Sequence, residues 1–182
     1  MRLQMKEQTS VQDRAARVKL LLMDCDGVLT DGRIWILENG EDQKTFNTRD
    51  GLGLDLFHRA GLRSGIISGR QSSAVQRRAD SLGIGYVRQG CEDKVAAFKE
   101  ILSESGVTES EVAFIGDDLN DVPLMRRSEL AVAVADAVAE AKECAHFVTN
   151  ASGGNGAVRE TVELILKAQN LWADLIRVYL ID

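Results

Sequence analysis

Val18 to Met23 constrains the fold of this chain more than any other stretch. It is apolar apart from Lys19 and runs straight into Asp24-Cys25-Asp26-Gly27. An apolar run of this length, closed by a Gly signal, reads as a strand buried on both faces of a parallel sheet. Open α/β sheets take their ligands beyond the C-terminal ends of such strands, where these two acids stand. In extended backbone Asp24 and Asp26 would point the same way, and Cys25 the other way, into the core. Like charges held together call for a bound cation or a retained proton. A plainer reading is that Asp and Gly only turn the chain. Two acids at a buried strand end are more than a turn needs.

Downstream, strand-like and helix-like segments alternate. Ile34 to Leu37, Asn39-Gly40 and Lys44 to Asn47 read as a β-hairpin placed just after the acidic strand end, as a flap. A helix follows Arg49-Asp50-Gly51 and stops near Gly61. Arg63 to Ile67 is a strand ending in Ser68-Gly69-Arg70, and Ser72 can cap a helix that runs to Leu82. Strands are expected at Ile84 to Val87, Val112 to Ile115, Leu130 to Val134 and Phe147-Val148. Helices are expected at Glu92 to Ser103, after Pro123, near Val138 to Cys144, and from Ala157 to Ala168 behind Gly153-Gly154-Asn155-Gly156. Strict alternation of this kind means a doubly wound parallel sheet with helices on both faces, an α/β fold. Residues 1–17 read as a polar arm with a possible short helix from Gln12 to Arg17, residues 18–169 as the core domain, and 170–182 as a tail. That tail carries too many apolar residues to float in water.

The 182 residues suit one domain with a sizeable core. The net charge of -6 argues against a nucleic-acid partner, though an acidic protein can still bind an anion at a locally positive site. No stretch approaches the length of a membrane span, and the first residues lack the apolar segment of a secretory signal. Three scattered Cys (Cys25, Cys91 and Cys144) suggest reduced thiols in a cytoplasm. The two His, His58 and His146, lie far from Cys25 in sequence, which speaks against Cys25 as a nucleophile.

Three strand ends carry polar groups of defined type: Asp24 and Asp26, then Ser68, then Asp117 with Asp118 and Asp121. A parallel sheet brings such ends to one crevice. Carboxylates with few His or Cys suit a hard, oxygen-seeking cation, and Mg2+ is the natural choice. Lys94 opens a helix and offers a fixed positive charge. Gly27, Gly69 and Gly116 let backbone approach a ligand. Metal, lysine, hydroxyl and backbone donors together make a phosphate site. Asp118, Asn120 and Asp121 could also serve only as helix caps.

These motifs resemble the haloacid dehalogenase superfamily of aspartyl phosphotransferases: DCDGVLT at 24–30, Ser68 after a hydrophobic strand, Lys94, and GDDLND at 116–121. The resemblance implies Asp24 as nucleophile and Asp26 as general acid and base. It implies Mg2+ held by Asp24, the Asp26 carbonyl and Asp117, with Ser68 and Lys94 on the phosphate oxygens. Asp121 would orient Lys94 or act through water, and Asp118 is a weaker candidate ligand. A narrower resemblance spans about Val18 to Gln169. TDGRI at 30–34, FNTRDGLG at 46–53, SGRQS at 68–72 and GGNGAVRE at 153–160 look like the 3-deoxy-D-manno-octulosonate 8-phosphate phosphatase family, which acts on the route to lipopolysaccharide. The third position of its GGxGA loop is often basic; here it is Asn155. With Arg70 and Arg159, Asn155 is a candidate for contact with the sugar acid, although either arginine could equally be a surface or ion-paired residue.

The segments from Asp24 to Ser68 and from Ser68 to Lys94 leave no room for a cap domain. A reactive intermediate is protected when water is excluded. Neighbouring subunits are therefore expected to close the site through the hairpin and the tail, and the resemblance implies a homotetramer. The alternatives are a phosphatase of nine-carbon sugar-acid phosphates, a broader small-molecule phosphatase, and a phospho-accepting signalling receiver. In a receiver the phosphorylated Asp follows the third strand rather than the first, which opposes that reading.

Overall fold

The computed structural model describes residues 9–38, 40 and 42–180. In chain order it contains α1 (Val11–Ala16), β1 (Leu20–Met23), β2 (Trp35–Ile36), β3 (Asp42–Gln43), α2 (Thr48–Arg59), β4 (Arg63–Ile67), α3 (Ser73–Leu82) and β5 (Tyr86–Arg88). There follow α4 (Lys94–Ser105), β6 (Val112–Gly116), α5 (Val122–Met125), β7 (Leu130–Ala133), α6 (Ala139–Cys144), β8 (Phe147–Val148), α7 (Ala157–Ala168) and α8 (Trp172–Ile176). The main sheet runs β5-β4-β1-β6-β7-β8, and every pairing in it is parallel. This is the doubly wound order. The direction of winding reverses between β1 and β6, and ligands bind in the crevice at such a reversal.

Every residue of β1 is buried, as its uninterrupted apolar run requires. It sits at the centre of the sheet, with Leu22 beside Gly65 on one side and Phe114 on the other. Phe57 from α2, Phe98 from α4 and Phe114 from β6 are fully buried around it. Each such side chain contributes roughly 1.5–3 kcal/mol by burial. Helix α2 packs on α7, which also holds α1, while α4, α5 and α6 form a connected layer of their own. No helix among the described residues is long and apolar enough to cross a membrane.

Several local expectations shift. The second hairpin strand is Asp42–Gln43 rather than Lys44 to Asn47, and Asn39 of the expected turn lies outside the described residues. Two side-chain contacts explain the shift. Lys44 is drawn down to Asp26, and Asn47 leaves the strand to cap α2 through Arg49 N–H. Ser72 stands at the start of α3 but gives its hydroxyl to Asp42 instead of capping. Helix α4 starts at Lys94, because the Asp93 side chain accepts from Val95 and Ala96 N–H. Near the N-terminus, Ser10 and Asp13 form a reciprocal capping box on α1. Gln169 ties that helix down by donating to the Ala15 and Val18 carbonyls. At the other end Trp172, Leu175 and Ile176 pack against the core, whereas Val178, Tyr179 and Leu180 are exposed.

Candidate active site

Adjacent strands β4, β1 and β6 end in Ser68, Asp24 and Asp117, and α4 brings Lys94 beneath them. Together with Asp26, Gly69 and Arg70 they line a cavity of about 280 Å³. The Lys94 ammonium donates to Asp24 Oδ1 and to Asp121 Oδ1, each at 2.8 Å. Asp121 is fully buried, and its Oδ2 accepts from the N–H groups of Asp117 at 3.0 Å and Asp118 at 3.4 Å. Both of its oxygens are thus engaged, and it holds Lys94 and the 117–118 turn in place. Asp118 is exposed and accepts from Leu119 N–H.

One carboxylate oxygen from each of Asp24, Asp117 and Asp121 lies within 4.8 Å of the others. Asp117 Oδ1 is buried without a hydrogen-bond partner. A buried carboxylate oxygen left unpaired is costly. Burial first, then the neighbouring acids, push Asp117 up to about 7. Burial and Asp121 push Asp24 up to about 6 against the pull of Lys94. Burial works against the Lys94 charge, but the two acids outweigh it and its pKa is raised. One ammonium does not balance three carboxylates. An orphaned hard oxygen beside a second carboxylate is the donor set that a divalent, oxygen-seeking cation fits.

Glycine supports the acids themselves. Gly27 has a φ of +94°, and a Cβ there would lie 2.1 Å from Asp117 Oδ2. Gly153 in turn presses on the Gly27 carbonyl, which a Cβ would meet at 1.8 Å. The glycine loop before α7 therefore buttresses the turn after β1. Gly27, expected to let backbone approach a ligand, also makes room within this chain for Asp117. At Gly69 a Cβ would make only ordinary contact, 3.7 Å from the Cys91 carbonyl.

Asp24 and Asp26 line the same cavity but take different cations. The strand stops at Met23, and the chain turns. Asp24 joins Lys94, whereas Asp26 meets Lys44 from the foot of the hairpin and faces Arg70 Nε at 3.7 Å. Burial works against the Lys44 charge too, but Asp26 and Asp42 hold it and its pKa is raised. Lys44 was missed because hydropathy assigns a hairpin lysine to solvent. Cys25 is fully buried, and burial pushes its thiol up, so it packs and does not attack. Ser68 is buried, and its hydroxyl oxygen accepts from Arg70 N–H at 3.3 Å.

Asn155 and Arg159 stand apart. They line a second cavity of about 400 Å³ that shares no lining residue with the first. Asn155 donates to the Gly153 carbonyl. Arg159 pairs with Glu163 at 2.9 Å and lies over the Trp172 ring. Nearby, Asp50 accepts from the N–H groups of Gly156 and Arg159, so the RDG segment fastens α2 to the start of α7.

The raised acids set a pH dependence for the metal-free protein. Asp24 and Asp117 hold protons more tightly folded than unfolded. Their stabilising contribution is complete below about pH 4 and is lost as pH rises through the values near 6 and 7. Thermal melts in chelator are expected to fall between about pH 5 and about pH 8, and Mg2+ is expected to restore more at the upper end. A Mg2+ effect that is equal at both ends contradicts this assignment.

Comparison with known proteins agrees with this geometry. A family model described as haloacid dehalogenase-like hydrolase matches residues 87–160. The curated 3-deoxy-D-manno-octulosonate 8-phosphate phosphatase of Yersinia pestis is 44% identical over 88% of this chain and 86% of its own length. A crystal structure of a probable phosphatase of the yrbi family from Pseudomonas syringae superposes with a TM-score of 0.92 at 45% identity, covering 94% of this chain and 98% of that one. The Moraxella catarrhalis 3-deoxy-D-manno-octulosonate 8-phosphate phosphatase, solved with magnesium, phosphate and KDO, superposes with a TM-score of 0.90 at 39% identity, covering 93% of this chain and 97% of that one. Matched to these relatives over about nine-tenths of its length, the chain belongs to the 3-deoxy-D-manno-octulosonate 8-phosphate phosphatase family of haloacid dehalogenase-like hydrolases.

Proposed function

We infer that this chain is a Mg2+-dependent phosphomonoester hydrolase that releases phosphate from 3-deoxy-D-manno-octulosonate 8-phosphate through an aspartyl-phosphate intermediate. The observation that carries the reading is the buried Lys94 bridging Asp24 and Asp121 beside the orphaned Asp117 oxygen, in a chain 44% identical to a curated phosphatase of that sugar phosphate.

Asp24, Asp117 and the Asp26 carbonyl would hold Mg2+, which neutralises charge on the phosphoryl oxygens when bound. A carboxylate oxygen of Asp24 attacks phosphorus, and the bond from phosphorus to the sugar oxygen breaks. Its electron pair stays on that oxygen, which takes a proton from Asp26. In the second half Asp26 takes a proton from water as the water oxygen bonds to phosphorus. The bond from phosphorus to Asp24 then breaks, which restores the carboxylate. Lys94, the Ser68 hydroxyl and the N–H groups of Gly27 and Gly69 receive the phosphoryl oxygens as charge spreads over them. Asp121 orients Lys94, and Asp118 at the mouth acts through water. Arg70 beside Asp26 is the better placed of the two arginines to meet the sugar acid. A phosphatase of a nine-carbon sugar-acid phosphate, or a broader small-molecule phosphatase, is the second reading, since Asn155 stands where the family often carries a basic residue and the sugar specified could differ with it.

The chemistry is tested by borohydride reduction during turnover, which converts an aspartyl-phosphate into homoserine. Homoserine is expected at position 24. Asp24→Asn is expected to give none and to lose turnover by roughly a thousandfold or more. Homoserine elsewhere, or near-normal turnover in the variant, overturns Asp24 as nucleophile.

The reading places the enzyme in the cytoplasm, in keeping with its three free cysteines. It also makes it a homotetramer whose neighbouring subunits close the site. Support comes from the hairpin, where Ile34, Trp35, Ile36 and Leu37 are all exposed, and from the exposed Val178, Tyr179 and Leu180. Light scattering is expected to give four copies, with activity falling as dilution separates them. A fully active, saturable monomer contradicts it.

A further inference from the structure

Lys44 does not line the cavity that holds the acids, yet its side chain is only 1% exposed. Its ion-pair partners among the described residues are both carboxylates. It donates to Asp26 Oδ1, and Asp42 Oδ2 lies at 3.4 Å. Asp42 in turn accepts from the Ser72 hydroxyl at 2.8 Å, and Ser72 N–H donates to the Gln89 side chain at 2.8 Å. The foot of the hairpin is thereby fastened to the start of α3 and the end of β5. A buried ammonium without its partners costs several kcal/mol, so Lys44 and Asp26 hold each other where they are.

The pairing sorts the two oxygens of Asp26. Oδ1 is taken by Lys44, which does not line the cavity, while Oδ2 faces Arg70, which does. We propose that Lys44 is a positioning residue for Asp26: it fixes the carboxyl so that Oδ2 is the oxygen that exchanges protons with the reaction, and it ties that step to the seating of the hairpin. This rests on the acid–base reading of Asp26 given above. Lys44 contributes nothing to the lining of the cavity. Its effect comes through geometry, where a displacement of about 1 Å is worth on the order of a hundredfold in rate.

The prediction concerns the leaving group. When the bond from phosphorus to a sugar oxygen breaks, the electron pair lands on a basic alkoxide that needs the proton from Asp26. A para-nitrophenyl oxygen leaves as a stable anion and needs none. Lys44→Gln removes the charge with little change of volume. In single turnover with Mg2+, this variant is expected to slow cleavage of the eight-carbon sugar-acid phosphate roughly 30-fold or more, and of para-nitrophenyl phosphate less than roughly 3-fold, with KM little changed. Lys44→Arg keeps a charged donor and is expected to give an intermediate ratio; it carries the test if the Gln variant does not fold. Equal slowing of both substrates, or of neither, overturns the proposal, because a general loosening of the hairpin would affect both alike. Asp26→Asn is the reference. If it shows the leaving-group pattern and the Lys44 variants do not, the positioning role fails and the reading of Asp26 stands. If Asp26→Asn lacks the pattern, the acid–base reading itself fails.

Discussion

The ammonium of Lys94 between Asp24 and Asp121 is the interaction on which the site depends. It is the buried cation in the cluster of Asp24, Asp117 and Asp121, and it pulls against the burial that raises Asp24 and Asp117. Its position follows from helix α4, which starts at Lys94 itself under the Asp93 cap. Removing one partner of a buried pair leaves the other uncompensated, at a cost of roughly 3–5 kcal/mol. The remaining mismatch, an Asp117 oxygen with no partner, is where a divalent cation completes the arrangement.

This cluster needs a scaffold that does not give. Strand β1 supplies one, with every residue buried between β4 and β6. Behind the turn that follows, Gly153 bears on Gly27, and Gly27 makes room for Asp117. The glycine-rich segment before α7 is therefore far from Asp24 in sequence but one layer behind it in space. Asp50 of α2, which accepts from the Gly156 and Arg159 N–H groups at the start of α7, and the Asn47 side chain on the Gly154 carbonyl secure the same segment. Motifs that sequence similarity groups with the substrate thus have a mechanical part in this chain as well.

The parallel sheet, its strand ends and the residues Asp24, Ser68, Lys94 and Asp117 were legible because each follows from a local signal. An apolar run stops at a polar group, and a doubly wound sheet has one crevice where such groups meet. What was not legible depended on contacts across the chain. Asp24 and Asp26 take different partners because the cations that receive them, Lys94 and Lys44, come from distant segments. The hairpin register shifted because Lys44 and Asn47 answer to Asp26 and α2 rather than to the strand. The pairing of Arg159 with Glu163, at helical spacing, was visible in principle, but nothing local says whether such a pair outcompetes a ligand.

Among the described residues, the segments between the acids, the serine and the lysine hold only the hairpin, α2, α3 and the strands β4 and β5, and no cap domain. The most direct test of the account is kcat/KM with Mg2+ across the eight- and nine-carbon sugar-acid phosphates, hexose phosphates and an aryl phosphate. The account predicts that the eight-carbon acid is preferred by on the order of a hundredfold or more over the simple phosphates, which is about 2.7 kcal/mol of transition-state discrimination. Comparable values across the panel would contradict it, and a preference for the nine-carbon acid would move the assignment to that substrate.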